Sequence, residues 1–182
     1  ATVLCLPFRG GAIADVSASA QTTSPQGSGV LPAATSGPTG EALLFVGSGA
    51  GQFVRVSGSA SLAIAADFTV DFWARQDSYG SDGPAIYRSD LGWSAWIDTT
   101  PRLRFSVLES VAAGGDTDYV DYESPVSLLG RWHHWRCAAR MESGVLVLYI
   151  FVDGNLVARK VTALTTVRAT ATAVDGAVNI AG

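Results

Sequence analysis

The sequence is poor in the residue types that build cross-linked or metal-bound proteins. Its 182 residues include two cysteines, two histidines and one methionine. Two cysteines cannot form the disulfide framework of a small secreted domain. Cys5 and Cys137 lie far apart, each in an apolar segment, where a free cysteine behaves as a small buried hydrophobe. We therefore predict free cysteines and no disulfide scaffold.

Positive charge is also scarce and scattered. Lys160 is the only lysine, the arginines are spread along the chain, and the net charge is −4 at pH 7. A nucleic-acid partner requires a basic patch that neutralises several phosphates. The closest approach to such a patch is Arg102 with Arg104, and two arginines do not form one. The composition therefore predicts no nucleic-acid partner.

No apolar run approaches the roughly 18 residues that a membrane-spanning helix needs. The longest run, GVLVLYIFVDG at 144–154, has the length of a strand. The N-terminal sequence ATVLCLPFRGG lacks a basic region, and its apolar run is too short for a signal peptide. We therefore expect no membrane span, and synthesis in a cytoplasm that the protein leaves only by lysis or as part of a particle.

Helical periodicity is missing as well, whereas the alternation typical of β-strands recurs. In ADFTVDFWAR (66–75) and PRLRFSVLES (101–110), successive side chains alternate between an apolar and a polar face. Asp153-Gly154 is a pair that a tight hairpin turn favours, because both residues tolerate positive φ. Further β-rich runs lie at 2–8, 42–46, 52–56, 84–88, 93–98, 118–122, 131–140 and 176–181. About ten to twelve short strands predict one all-β domain over residues 1–182, a sandwich or jelly roll.

One segment departs from this pattern. Residues 17–40, SASAQTTSPQGSGVLPAATSGPTG, are rich in Ser, Thr, Gly and Pro and contain few apolar side chains. Such a composition is typical of a loop. We interpret the segment as a long surface excursion that follows a first strand, because VLCLPF (3–8) before it is too apolar to stay in water.

The segment RWHHWRCAAR (131–140) contains both histidines, two tryptophans and a cysteine. In a strand, His133 and Cys137 share the apolar face but lie about 13 Å apart, too far for ligands of one zinc ion. His133 and His134 point to opposite faces, and the same geometry excludes a cysteine–histidine catalytic pair within the segment. We interpret the segment as a structural strand with a half-buried histidine; the alternative is a catalytic or ligand histidine.

Three stretches together resemble one family. They are ALLFVGSGAGQFVRVSGSASLAIAADFTVDFWAR (42–75), GWSAWIDTTPRLRFSV (92–107) and RWHHWRCAARMESGVLVLYIFVDGNLVA (131–158). Their order and spacing resemble the concanavalin A-like, laminin-G-type jelly roll. The resemblance implies a β-sandwich of two stacked antiparallel sheets, and a binding or adhesive role rather than catalysis. It also implies that the WHH sequence is a framework feature of the fold.

The N-terminal arrangement resembles copies of this domain in bacteriophage tail and other virion proteins. A strand at VLCLPF and a Ser/Thr/Gly-rich excursion precede EALLF (41–45). The resemblance implies a non-enzymatic structural module of a virion, on its tail, fibre or capsid surface. Its expected partners are other virion proteins or copies of itself, with additional contact to a host surface glycan.

Two departures from the family pattern bear on this expectation. The family follows WHH with a small apolar pair, where this chain has Trp135 and Arg136. AVNIAG (177–182) resembles the penultimate strand of the family. A missing last strand leaves a bare sheet edge, so we expect a partner chain or a rearranged terminus to cover it.

Glycoside hydrolases also use this type of fold, and they need two carboxyl groups about 5 to 9.5 Å apart. The glutamates of this chain are widely separated: Glu41, Glu109, Glu123 and Glu142. GGDTDYVDYE (114–123) places Asp116 and Asp118 on one face of a strand, and Asp121 and Glu123 on the other. We interpret this cluster as a solvated edge strand and turn, and we predict no catalytic residue.

Calcium-dependent sugar binding is the main alternative function. Asp116 with Asp118, or Asp77 with Asp82, could supply acidic ligands, but neither stretch has the spacing of a dedicated calcium loop. We therefore assign no metal ligand and no cofactor, and calcium stays open as an alternative.

Contact with a sugar would rest on exposed aromatic rings that stack on the faces of sugar rings. The alternative for each ring is burial in the core of the sandwich. The candidate ligand-binding residues are Trp73, Tyr79, Trp93, Trp96 and Tyr119.

Overall fold

A computed structural model describes twelve stretches of the chain. They are residues 8–9, 12–13, 17, 22–26, 33–44, 53–56, 67–77, 85–88, 92–97, 102–108, 117–167 and 178–181. Every regular element within them is a β-strand. The strands are β1 (Phe8–Arg9), β2 (Ala12–Ile13), β3 (Thr23–Gln26), β4 (Ala33–Gly37), β5 (Gly40–Leu44), β6 (Phe53–Val56), β7 (Phe68–Ala74), β8 (Ala85–Arg88), β9 (Trp93–Ile97), β10 (Arg102–Leu108), β11 (Thr117–Glu123), β12 (His133–Glu142), β13 (Val145–Val152), β14 (Asn155–Val161) and β15 (Val178–Ala181).

The strands form antiparallel sheets, as the alternating sequence predicts. A seven-stranded sheet has the order β11-β10-β9-β8-β15-β6-β3, and a four-stranded sheet has the order β14-β13-β12-β7. A second four-stranded sheet, β2-β1-β5-β4, gathers strands from the N-terminal part of the chain. The all-β class is therefore confirmed.

The core lies between the seven-stranded sheet and the sheet that contains β12. Phe68 of β7 packs against two rings of the opposite sheet, with ring centroids 5.8 Å from Trp93 and 5.9 Å from Phe105. Trp135 and Leu148 of the four-stranded sheet join the same buried cluster. The two sheets are thus the two layers of a sandwich, and each layer has one buried and one outward face.

The predicted alternation of side chains is confirmed on the strands that carry this core. Along β10, Leu103, Phe105 and Val107 are almost completely buried, while Arg104 between them is only partly buried. Along β7, the side chains of Phe68, Val70 and Phe72 pack on the core, and the residues between them are exposed. The period of two residues therefore decides which side chains are available for function.

Tight turns join β12 to β13 and β13 to β14. Asp153 and Gly154 have φ angles of 50° and 82°, which confirms the predicted hairpin turn. Ser143 and Gly144, with φ angles of 51° and 86°, form an equivalent turn. These turns keep β12, β13 and β14 in one continuous antiparallel meander.

The segment 17–40 differs from the loop that its composition predicts. Its described residues include two strands, β3 beside β6 and β4 beside β5. Both are edge strands, and β3 contains Pro25, whose missing N–H is tolerated at a sheet edge. Exposed edge strands need no alternation of apolar residues, so the sequence pattern did not reveal β3 and β4.

The C-terminal strand also departs from the expectation of a bare edge. β15 is hydrogen-bonded on both sides, to β6 and to β8. It is therefore an interior strand, and the edges of its sheet are β11 and β3. No partner chain is needed to cover β15. Within the part of the chain that the structure describes, no helix is long and apolar enough to cross a membrane.

Candidate functional site

The inward face of β12 is structural. Trp135, Cys137 and Ala139 are 2%, 0% and 0% exposed and belong to the core. Cys137 is a free thiol, and burial, with a smaller contribution from the charge of Asp71, raises its pKa. A thiol in this state is not a nucleophile at neutral pH. Cys5, the other predicted free cysteine, lies outside the described residues.

His133 and the backbone of His134 hold the turn between β13 and β14. Nδ1 of His133 lies 2.8 Å from Oδ2 of Asp153, and the backbone N–H of His134 donates to Oδ1 of the same carboxylate at 2.9 Å. The backbone N–H of Asp153 donates in turn to the carbonyl of His134 at 2.8 Å. Burial would raise the pKa of Asp153, but the contacts with both histidines outweigh it and lower that pKa. The structural interpretation of this segment fits these contacts.

The side chain of His134 points to the outward face of the four-stranded sheet. Its Nε2 contacts Oδ1 of Asp71, and Arg136 donates from Nε to Oδ2 of the same carboxylate at 2.8 Å. The ring of Trp73 lies 5.1 Å from the His134 ring, centroid to centroid, and this tryptophan is 44% exposed. Trp73, a predicted ligand residue, is therefore an accessible ring beside a fixed polar cluster.

Next to this cluster the outward face contains a shallow groove of about 510 Å³. Thr69, Ala138 and Tyr149 form one row across three neighbouring strands, since Ala138 pairs with both other residues. Arg136 and Arg140 stand on either side of Ala138 along β12, about 13 Å apart at their backbones. The small side chain of Ala138 thus leaves a depression between two long ones. We call this depression the Ala138 groove; its lining is Thr69, Arg136, Ala138, Arg140, Glu142, Tyr149 and Phe151.

One wall of the Ala138 groove is a braced aromatic pair. The rings of Tyr149 and Phe151 are stacked, with centroids 6.3 Å apart and an interplanar angle of 24°. The Tyr149 hydroxyl donates to Glu142, and Arg159 donates to Glu142 at 3.0 Å and to the Tyr149 hydroxyl at 3.3 Å. The hydrogen bond from Tyr149, with a further contribution from Arg159, lowers the pKa of Glu142. Glu142 is therefore ionised near neutral pH and braces the Tyr149 side chain.

The outward face of the seven-stranded sheet brings two other predicted residues together. The guanidinium of Arg104 lies 4.0 Å from the ring centroid of Tyr119 and 5.6 Å from that of Trp96. Lys160 approaches the same Tyr119 ring at 5.1 Å. Asp121 accepts two hydrogen bonds from Arg104, both of 2.7 Å. We call this arrangement of Trp96, Arg104, Tyr119 and Lys160 the cation–aromatic stack; in it two cations approach the ring of Tyr119, which stays 42% exposed.

The remaining predicted ligand residues do not join either surface. Trp93 is 6% exposed and lies in the core against Phe68, so the prediction that it contacts a ligand is wrong. Its inward direction follows from the period of β9, where Ala95 and Ile97 are buried on the same face. Tyr79 lies outside the described residues.

The acids considered for calcium have other partners. Asp118 contacts Lys160 and accepts the backbone N–H of Tyr119, while Asp77 forms a 2.9 Å ion pair with Arg75. Asp82 and Asp116, the other two candidates, lie outside the described residues. Among the residues that the structure does describe, no cluster of three acidic, histidine or cysteine side chains could hold a metal ion.

Sequence reasoning missed the groove itself. Its aromatic wall comes from LVLYIFV within β13, which the sequence presents as one continuous apolar run. The period of two along β13 does place Tyr149 and Phe151 opposite the buried Leu148 and Ile150. The register between β12 and β13, which sets Ala138 beside Tyr149, has no signal in either strand alone.

These features define a β-sandwich with a polar and aromatic groove on one outward face. Residues 48–180 match the Concanavalin A-like lectin/glucanases superfamily, and the chain belongs to this superfamily. A comparison with curated proteins finds no match. Among solved structures, the chain is similar to the endo-1,3-beta-glucanase from Streptomyces sioyaensis, with 10% identity and a TM-score of 0.40. That similarity covers 82% of this chain and 62% of the glucanase chain.

Proposed function

We propose that this chain is a non-enzymatic carbohydrate-binding module, and that the Ala138 groove is its binding site. The observation that supports this proposal most directly is the composition of the groove, in which aromatic rings, guanidinium groups and a hydroxyl surround a small floor residue. Its volume falls within the range of about 300 to 1,000 Å³ that is typical of ligand sites. Membership of a superfamily named for lectins and glucanases supports a sugar as the ligand.

The chemistry of the groove suits a polyhydroxylated ring. A sugar presents apolar C–H faces together with hydroxyl groups that both donate and accept hydrogen bonds. Phe151 and Tyr149 offer apolar surface, while Arg136 and the Thr69 hydroxyl offer hydrogen bonds beside it. Arg136 is already oriented by Asp71, so little side-chain entropy would be lost when it binds a ligand.

The carboxylates of this site support binding without hydrolysis. A glycosidase requires a pair of carboxyl groups, one of them an acid with a raised pKa. Glu142 is the only carboxylate in the described lining, and its pKa is lowered by Tyr149 and Arg159. A carboxylate in this state is a poor proton donor to a leaving group.

A glycan array tests the proposal. The wild-type protein is expected to bind at least one family of immobilised oligosaccharides. Ala138→Leu, which fills the floor of the groove, is expected to abolish that binding. Trp96→Ala on the opposite sheet is the control and is expected to leave binding unchanged. An empty array, or binding that survives Ala138→Leu with the protein folded, would overturn the proposal.

We also propose that the module is part of a bacteriophage virion, on its tail, fibre or capsid surface, where it contacts other virion proteins or copies of itself. The support is the resemblance of its N-terminal arrangement to virion copies of the domain. Mass spectrometry of purified particles from an infected culture that produces this chain tests the proposal. A fixed copy number per particle is expected, and absence from purified particles would contradict it. Light scattering, with and without a calcium chelator, would show whether the free module is oligomeric and whether calcium matters.

A further inference from the structure

Arg140 differs from the other arginines on the outward face of the four-stranded sheet. Arg136 is bound to Asp71, and Arg159 is bound to Glu142. Arg140 is exposed, and it makes no hydrogen bond or ion pair with any residue that the structure describes. Its five N–H donors are therefore available to a ligand.

No acid in the described part of the chain contacts the guanidinium of Arg140. The acid that faces it is Asp67, which immediately precedes β7 and stands next to Phe68, the pairing partner of Ala139. Asp67 does not form an ion pair with Arg140, and its Oδ1 instead accepts the backbone N–H of Met141 at 2.7 Å. Glu142, the next outward residue along β12, is occupied by Arg159. Among the residues that the structure describes, Arg140 is thus a lining cation of the Ala138 groove without a partner, whereas the lining carboxylate is engaged by Arg159.

We infer that the Ala138 groove selects acidic glycans, and that Arg140 recognises the carboxylate of a uronic acid unit. This inference rests on the proposed function of the groove as a carbohydrate site. The planar guanidinium matches a planar carboxylate with two parallel hydrogen bonds, a geometry that a single hydroxyl does not offer. The sugar ring would lie over Ala138 and against Phe151, with its carboxylate toward Arg140.

Two matched pairs of ligands distinguish binding of the carboxylate from binding of the rest of the sugar. Tetragalacturonate and tetramannuronate are each compared with their methyl esters, which keep the sugar chain and remove the negative charge. Isothermal titration calorimetry with the wild-type protein is expected to show binding about tenfold tighter for at least one acid than for its ester, equivalent to about 1.4 kcal/mol. Raising the salt concentration is expected to reduce this difference, because the interaction is between charges near solvent.

Two variants assign the effect to Arg140. Arg140→Gln is expected to weaken acid binding about tenfold and so to bring it to the level of the ester. Arg131→Gln, which removes the same charge from an exposed position before β12, is the control and is expected to keep the preference for the acid. Thermal unfolding of both variants verifies that they are folded.

The outcomes separate this inference from the proposed function. Equal binding of acid and ester, or a preference that Arg140→Gln keeps, would overturn the role of Arg140 while the groove stayed a sugar site. A preference lost equally in Arg140→Gln and Arg131→Gln would show general charge attraction and would also overturn it. If the wild-type protein bound no glycan on the array and none of the four ligands in calorimetry, the proposed function itself would be overturned.

Discussion

The outward faces of the two sheets carry similar residues and arrange them differently. In the cation–aromatic stack, Arg104 lies over Tyr119 and is fixed to Asp121 by two hydrogen bonds. On the four-stranded sheet, the small Ala138 separates the arginines from one another and opens a groove. In the cation–aromatic stack Arg104 contacts two rings, whereas among the described groove residues neither Arg136 nor Arg140 lies over a ring, and Arg159 approaches Tyr149 at 5.6 Å. We propose that this difference in spacing, more than residue type, separates a stabilising role from a binding role.

The largest expected effect is on stability, from the cation–aromatic stack. Arg104→Ala removes a paired, partly buried guanidinium and leaves Asp121 without its two hydrogen bonds. We expect the free energy of unfolding to fall by about 2 kcal/mol, measured by chemical denaturation. Arg136→Ala, in an exposed pair, is expected to cost less than about 1 kcal/mol. Equal costs would remove the distinction between the two faces.

The next effect is on binding, from the aromatic wall of the groove. Phe151→Ala is expected to weaken binding of the best oligosaccharide on the array by about 1 kcal/mol, since it removes one ring of the pair. Trp96→Ala on the other sheet is expected to leave the affinity unchanged. Titration calorimetry on both variants measures the contrast. A larger loss of affinity for Trp96→Ala would place the ligand on the seven-stranded sheet.

A third effect, of about 1 kcal/mol, concerns the turn that holds the groove strands in register. Asp153→Ala removes the contacts with His133 and His134 and places alanine at a φ of 50°, where an L-residue with a Cβ is strained. Asp153→Asn tolerates this φ and keeps an acceptor, so it is expected to cost less. Thermal unfolding at pH 7 distinguishes the two variants. An equal loss for both would mean that the charge alone matters.

The dependence of stability on pH in the acidic range tests the same contacts of Asp153. The pKa of Asp153 is lowered below its ordinary value of 3.8 in the folded protein, so its ionised form stabilises the fold. This contribution is complete above the ordinary pKa and is lost as the pH falls through the lower, folded pKa. The wild-type protein is therefore expected to approach the stability of Asp153→Asn as the pH falls below the ordinary pKa of 3.8 and through the lower, folded pKa. A constant difference over that range would contradict this role of the charge.

The smallest expected effect is at Lys160, which joins the edge strands of the two sheets. Its ammonium contacts Asp118 and the face of Tyr119, but its side chain is 42% exposed. Lys160→Met keeps the apolar stem and is expected to change the free energy of unfolding by less than about 0.5 kcal/mol. A cost above about 2 kcal/mol would show that this contact is an essential closure of the sandwich edge.

The alternation of the sequence predicted most of the sandwich, because buried and exposed positions repeat every two residues on long strands such as β7 and β10. It also predicted the turn at Asp153-Gly154 from the conformations that these two residues tolerate. The strands β3 and β4 escaped prediction, since exposed edge strands bury too little apolar surface to leave a pattern. The position of β15 inside its sheet depends on long-range pairing, which local sequence does not encode.

The candidate site was predictable only in part. The outward direction of Trp73 follows from its parity with Asp71 on β7. Trp93 and Trp96 lie on the same short strand and face opposite ways, and sequence alone did not show which face meets the core. The groove requires the register that sets Ala138 between Thr69 and Tyr149 on two different strands. That register is a property of the assembled sheet.

Nuclear magnetic resonance of the tryptophan indole N–H groups tests most directly whether the ligand lies on the four-stranded sheet. The ¹⁵N-labelled protein is titrated with tetragalacturonate, with tetramannuronate and with their methyl esters. Trp73 stands two residues from Asp71, the partner of the groove residue Arg136, and its indole resonance is expected to move. The resonances of Trp96, in the cation–aromatic stack, and of the buried Trp93 are expected to stay in place. Movement of Trp96 with Trp73 unchanged, or no movement with any ligand, would contradict this account.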